Sequence, residues 1–205
     1  MRLYHAPGSR SSRVLWTLEE LQVPYELTIV TREERSSEAY LRRHPLGRVP
    51  VIEFDDGELM FESAAICLQL ADLYPDADLI PPLGSSKRGL VYQWTLFAMT
   101  ELEGRVFRWL FATRAGEDAT EHVSDFKPVG DALRAVLAEQ EWIAGATFTV
   151  ADVLIATMLG NAFRRELLTE TGPLRAYVER AQRRPAYQRA EANNTRSVAG
   201  RPPNA

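Results

Sequence analysis

Between Pro75 and Lys87 the chain reads PDADLIPPLGSSK, and the hydrophobic pattern differs on its two sides. Proline, glycine, serine and aspartate punctuate a backbone, so a run this dense interrupts regular structure and reads as a linker. Before it, short alternating segments between helical ones predict a mixed α/β domain; beyond it, every convincing segment has the helical period. The expected organisation is an α/β domain over residues 1–75, a linker over 76–87, an all-helical domain over 88–192 and a flexible tail over 193–205. The tail, NNTRSVAGRPPNA, lacks apolar residues to bury. A length of 205 residues suits two small domains.

Within the first domain, residues 2–5 predict a strand ended by the turn signal Ala6-Pro7-Gly8. Val14, Leu15, Leu18 and Leu21 then repeat at helical spacing up to Pro24, and Tyr25–Val30 alternates as a strand. Ser36–Arg43 predicts a short, imperfect helix. VIEF, Asp55-Asp56-Gly57 and ELMF form the strongest hairpin signal, followed by a helix running to about Tyr74. In the second domain helices are expected over about 88–113, 122–143, 150–167 and 172–182, with a short turn near Ala186.

Composition narrows the function classes. A net charge of -4 gives no electrostatic footprint for nucleic acid. No stretch approaches the roughly 20 apolar residues that span a bilayer, and no signal-peptide run follows Met1. One cysteine, Cys67, excludes an internal disulfide and fits a reducing, cytoplasmic setting. His5, His44 and His122 show no metal-ligand spacing, so no metal is expected.

Three segments could carry chemistry. Pro7–Arg13 leads into the first helix, where its serines would either cap the helix or present a hydroxyl to an anion beside a helix N-terminus. Val49-Pro50 enters a strand after a glycine turn; it reads equally as a rigid turn or as a cis bond. A cis bond would turn the Val49 backbone outward to pair with an extended ligand. Glu62-Ser63 opens the third helix, either as cap and dipole complement or as the receiver of a ligand's ammonium and carboxylate.

The ordered set PGSRSSRVLWTLEEL, VPYEL, HPLGRVPV and FESAAICLQLADLYP resembles the N-terminal, thioredoxin-like domain of the cytosolic glutathione transferases. The linker and helical domain, with TFTVADVLIATM, match the rest of that family's plan, so the resemblance covers residues 1–190. It implies a thioredoxin-like α/β domain followed by an all-α domain, with glutathione as co-substrate, a hydrophobic electrophile as second substrate and a homodimer. On the same resemblance Ser9 matches the catalytic serine of the serine-type classes, with Ser11 its rival. Val49 matches the residue pairing with the cysteinyl backbone and Pro50 the cis-proline. Glu62 and Ser63 match the pair holding the γ-glutamyl end, Arg48 takes the place of a polar or basic residue that often contacts the ligand, and His44 that of an asparagine before proline. No tyrosine takes the tyrosine-type position, and the cysteine-type spacing falls on Arg10.

The implied chemistry is activation of the glutathione thiol as thiolate for attack on the electrophile. Alternatives are a specialised glutathione-dependent isomerase or dehalogenase, and a non-catalytic binding scaffold. Cys67, on an apolar helical face, reads as a structural thiol. Thr149-Val150-Ala151-Asp152 reads as a capping box with Phe148 and Val153 as its hydrophobic staple. Tyr92, Arg105, Trp109, Phe111 and Phe163 could line a co-substrate pocket, although aromatics at helical spacing more often form core.

Overall fold

The computed structural model describes residues 1–199, with side chains through Asn194. Two units emerge, Met1–Ala77 together with the segment from Arg184 onward, and Asp78–Arg183.

In the first unit, β1 (Arg2–His5) pairs in parallel with β2 (Glu26–Ile29), Leu3 opposite Leu27. Parallel neighbours need a crossover, and α1 (Ser11–Leu21) supplies it. Gln22 ends α1 in the left-handed region at φ 54, two residues before Pro24 stops any continuation. A four-residue helix, α2 (Glu38–Leu41), is capped by the Ser37 hydroxyl, which accepts from the Tyr40 N–H at 3.2 Å. The hairpin of β3 (Val51–Glu53) and β4 (Leu59–Phe61) adds antiparallel to β1 and gives the strand order β2-β1-β3-β4. Helix α3 (Ser63–Leu73) follows. Leu3, Leu15, Leu18, Ile52, Ile66 and Leu70 are fully buried, and α1 packs on α3.

Helix α9 (Pro185–Ala199) corrects two boundaries. The sequence reading puts residues to 192 in the helical domain and a flexible tail from 193, with only a short turn near Ala186. Residues from Arg184 instead join the first unit, and helix continues through Ala199; residues 200–205 lie outside the described residues. The physical reason is that α9 docks with little apolar area. Ala186 and Ala190 are buried, the Tyr187 ring meets Trp16 edge-on at 4.8 Å, and Arg189 reaches the Glu19 carboxylate at 2.7 Å. This docking explains why α1 is buried on more than one stripe.

In the second unit the predicted 88–113 helix is three pieces. Helix α4 (Ser86–Phe97) passes through a π-helical turn at Ala98–Leu102 into α5 (Glu103–Ala115). Next come α6 (Thr120–Glu139), α7 (Val150–Arg164) and α8 (Pro173–Gln182), the last with proline at its start. Helix α7 is apolar almost all round and packs against α4, α5 and α8. Its capping box forms as the sequence predicts. Asp152 accepts from the Thr149 and Ile143 N–H groups, both at 2.8 Å, and from the Tyr177 hydroxyl at 2.9 Å. Burial nonetheless pushes this carboxyl up to about 6.

Candidate active site

Register brings the three candidate segments to one end of the sheet. Tyr4, next to the end of β1, lies opposite Val51 at the start of β3, which in turn lies opposite Phe61 at the end of β4. The loop holding Ser9, the Val49-Pro50 step and the Glu62-Ser63 step therefore all leave the sheet at the same edge. The first turns of α1 and α3 are tied together there: Arg13 Nη1 donates to Ser63 Oγ at 3.3 Å, both side chains being buried. Two helix N-termini, with their positive partial charge, face this edge of the sheet.

The loop before α1 is a tight turn with Pro7 and Gly8 at its centre, closed by the Ser9 N–H donating to the Ala6 carbonyl at 3.2 Å. Gly8 has φ +70, a conformation that proline followed by glycine satisfies and most side chains do not. Ser9 emerges half-buried, its Oγ accepting from the Ser11 N–H at 3.2 Å and bonded to Ser11 Oγ at 2.7 Å. Ser9 thus performs the capping role and still has an exposed side. Ser11 is fully buried, its Oγ 2.7 Å from His5 Nδ1. Ser12 is half-buried, with its hydroxyl 3.4 Å from Asn194 Oδ1.

The Val49-Pro50 bond is cis, the second of the two readings left open by the sequence. Val49 stands outside the sheet ladder, and its side chain packs with Tyr4, Val30, Tyr40 and Val51.

Comparison with known proteins identifies the family and the fold. Residues 3–78 match the family model described as glutathione S-transferase, N-terminal domain. Over 195 residues the chain is 30% identical to "Glutathione S-transferase GstA" of Escherichia coli O157:H7, covering 93% of this chain and 96% of that relative. The chain belongs to the glutathione S-transferase family. A second bacterial relative, "Glutathione S-transferase GST-4.5" of Xanthomonas campestris pv. campestris, is 30% identical over 192 residues, 88% of this chain and 92% of its own length. Among solved structures, a sphingomonad glutathione S-transferase complexed with glutathione superposes with a TM-score of 0.84 at 30% identity, covering 95% of this chain and 99% of that one.

At the second helix start of this transferase, Glu62 is exposed, carries no side-chain cap bond and holds φ 75. A non-glycine residue in that region stores strain of roughly 1–3 kcal/mol, which concentrates at ligand clamps and switch points. Ser63 is only 1% exposed, and its hydroxyl is already bonded to the buried Arg13 guanidinium. His44 is buried with its ring 4.7 Å from Phe61; burial lowers its pKa, and the charges of Glu62 and Arg48 both act on it. Arg48 itself is exposed.

Sequence reasoning did not single out His5 or Asn194, which close behind the serines. His5 reads from sequence as a strand residue without metal spacing. Asn194 falls in the segment read as a flexible tail. The five residues separating His5 from Ser11 were the available signal, since a tight turn between strand and helix folds one over the other. Cys67 is a buried thiol whose pKa burial pushes up to about 11, as a structural role requires. Trp109 and Phe163 are buried, whereas Tyr92 and Phe111 are exposed. Arg105 is held by Glu101 and Asp125. Among the described residues no group of His, Cys, Asp or Glu is arranged to hold a metal ion, and no helix is long and apolar enough to cross a membrane.

Proposed function

We propose that this glutathione transferase binds glutathione at the shared sheet edge and activates its thiol through the Ser9 hydroxyl. The observation carrying this reading is the half-buried Ser9 Oγ at the first turn of α1, on the edge shared with Val49-Pro50 and Glu62-Ser63. Ser11 matches the motif nearly as well, but a side chain with no exposure has no face for a ligand. Val49 pairs with the cysteinyl backbone beside Pro50. Glu62 meets the ammonium of the γ-glutamyl end, and the backbone N–H of Ser63, at the start of α3, meets its carboxylate. Arg48, exposed beside these groups, adds a positive charge for an anionic ligand.

Magnitudes favour stabilisation of the anion over a strong base. A thiol of pKa about 8.5 is only about 3% ionised near neutral pH, and lowering it by about two units takes roughly 2.7 kcal/mol. One hydrogen bond to a charged sulfur, roughly 1.5–3 kcal/mol, supplies much of this. The helix N-terminus adds up to about 1–2 kcal/mol in a partly dry setting. The thiolate then attacks a hydrophobic electrophile. The same reading makes the protein a cytoplasmic, detoxifying homodimer. Ser9→Ala tests the core of it: thiolate absorbance of the glutathione complex should shift to higher pH. An unshifted titration would remove Ser9 from the mechanism.

A further inference from the structure

Behind Ser9 a line of hydrogen bonds runs inward and ends on α9. Ser9 Oγ lies 2.7 Å from Ser11 Oγ, Ser11 Oγ 2.7 Å from His5 Nδ1, and His5 Nε2 3.0 Å from Asn194 Oδ1. Ser11 and His5 are fully buried and Asn194 is 9% exposed. The direction of donation is fixed from the far end. Asn194 Oδ1 also faces the Gly8 N–H at 3.3 Å, and a backbone N–H can only donate, so this oxygen is the acceptor and His5 Nε2 carries its proton. A neutral imidazole then has its lone pair on Nδ1, and the Ser11 hydroxyl donates to it. The Ala6 carbonyl, at 3.2 Å, is the longer alternative for that proton. With its proton committed, Ser11 Oγ accepts from the Ala6 N–H at 3.2 Å and from the Ser9 hydroxyl. Ser9 therefore points its proton inward and a lone pair outward, the reverse of what a thiolate needs.

The geometry points to Ser11, His5 and Asn194 as positioning residues that together form a proton relay for thiol activation. This rests on the reading that Ser9 faces the thiol. The thiol first donates its S–H to the outward lone pair of Ser9. The S–H bond then breaks with its electron pair left on sulfur, and the proton bonds to Ser9 Oγ. Ser9 passes its former proton to Ser11 Oγ, and Ser11 passes its own to His5 Nδ1. One proton has moved in net from sulfur to nitrogen, and nothing is oxidised or reduced.

The product arrangement satisfies every member of the line. Ser9 now donates to the thiolate, Ser11 donates to Ser9, and the imidazolium donates from Nδ1 to Ser11 and from Nε2 to Asn194. Turning the Ser9 proton outward without this shift would leave either two oxygens 2.7 Å apart with no hydrogen between them, or a buried His5 Nδ1 without a donor. Burial holds His5 at about 4, so its Nδ1 is unprotonated at neutral pH and takes up a proton only together with the thiolate charge. The arriving thiolate charge draws that value up. A neutral amide at 194 orients the imidazole without charging it beforehand.

The test counts protons on the full chain. Glutathione is titrated calorimetrically in buffers of different ionisation enthalpy to count the protons released. Ultraviolet absorbance counts the thiolate formed, and S-methylglutathione, without a thiol proton, sets the baseline. The relay predicts markedly fewer protons released than thiolates formed near neutral pH. One proton released per thiolate overturns it. Asn194→Leu removes the acceptor and should lower the thiolate fraction at fixed pH on the order of tenfold, a shift of about one pKa unit. Asn194→Asp keeps an acceptor for the same donors and should restore or exceed the wild-type fraction. Equal effects of the two variants on thiol ionisation, or none, would mean a merely structural role and overturn the relay. Ser9→Ala separates the two layers. If it leaves thiolate formation intact, the Ser9 reading fails and takes the relay with it. If it abolishes thiolate while release in the wild type is one for one, the relay alone fails.

Discussion

Arg184 grips Glu20 through both carboxylate oxygens, at 2.7 and 2.8 Å, and so fixes the start of α9 to α1. The Glu20 side chain is only 7% exposed and also accepts from Trp16 Nε1 at 2.9 Å. A bidentate pair with one partner buried is worth more than an ordinary surface ion pair. Since α9 delivers Asn194 to His5, the clamp also links an ion pair to the serine loop.

A double-mutant cycle on Glu20→Gln and Arg184→Met should give a coupling of about 1–2 kcal/mol, above the roughly 0.2–1 kcal/mol of exposed pairs. Hydrogen exchange should accelerate in α9 before the sheet loosens. Additive effects of the two substitutions would reduce the clamp to a surface contact.

For Ser9→Ala, losing one charge-assisted hydrogen bond of roughly 1.5–3 kcal/mol predicts a turnover deficit of roughly 10- to 150-fold near neutral pH. The deficit should shrink as pH rises, because the bound thiol then ionises unaided. Glutathione affinity should change less, since the contacts proposed for Val49 and Glu62 remain. Ser11→Ala reaches the thiol only through Ser9 and should give a smaller loss. A larger loss for Ser11→Ala would transfer the thiol contact to that residue.

Glu62 offers a way to separate binding from stability. Its φ of 75 suits glycine, and its side chain makes no cap bond, so Glu62→Gly should raise stability by about 1 kcal/mol. If the carboxylate meets the ligand ammonium, the same substitution should raise KM for glutathione more than it lowers kcat. Thermal unfolding beside steady-state kinetics measures both. A destabilised variant with unchanged KM would assign Glu62 to folding.

The α/β character of the first unit was legible because its strands carry period-two patterns and its helices end at Gln22-Val23-Pro24 and Tyr74-Pro75. The three site segments were legible for a related reason, since each joins a strand to a helix or enters a strand, where turn residues leave a local signature. Helix α9 was not. Its docking depends on Arg184, Arg189 and two alanines finding partners about 170 residues earlier, and no periodicity reports such pairing. The break at Ala98–Leu102 was hidden similarly, because a π-helical turn shifts register without proline or glycine to mark it. Asn194 was out of reach once its segment read as tail, and with it the partner that orients His5.

His5 gives a prediction about acid. Burial lowers its pKa from 6.5 to about 4, opposed by the Asn194 hydrogen bond. The unfolded chain therefore takes up a proton through the range from about 6.5 to about 4, where the folded chain does not. Binding of protons by the unfolded state makes stability fall as pH falls, so this contribution is intact above about 6.5 and is lost on acidification toward about 4. A difference of about 2.5 units corresponds to on the order of 3 kcal/mol. His5→Gln cannot titrate, so although its stability near neutral pH should be lower, it should decline less on acidification. Denaturant unfolding of both proteins at a series of pH values measures the gap between them. That gap should narrow steadily from neutral pH to about 4. Parallel curves would mean that the imidazole titrates alike in folded and unfolded chains, and that burial at the end of β1 does not keep it neutral.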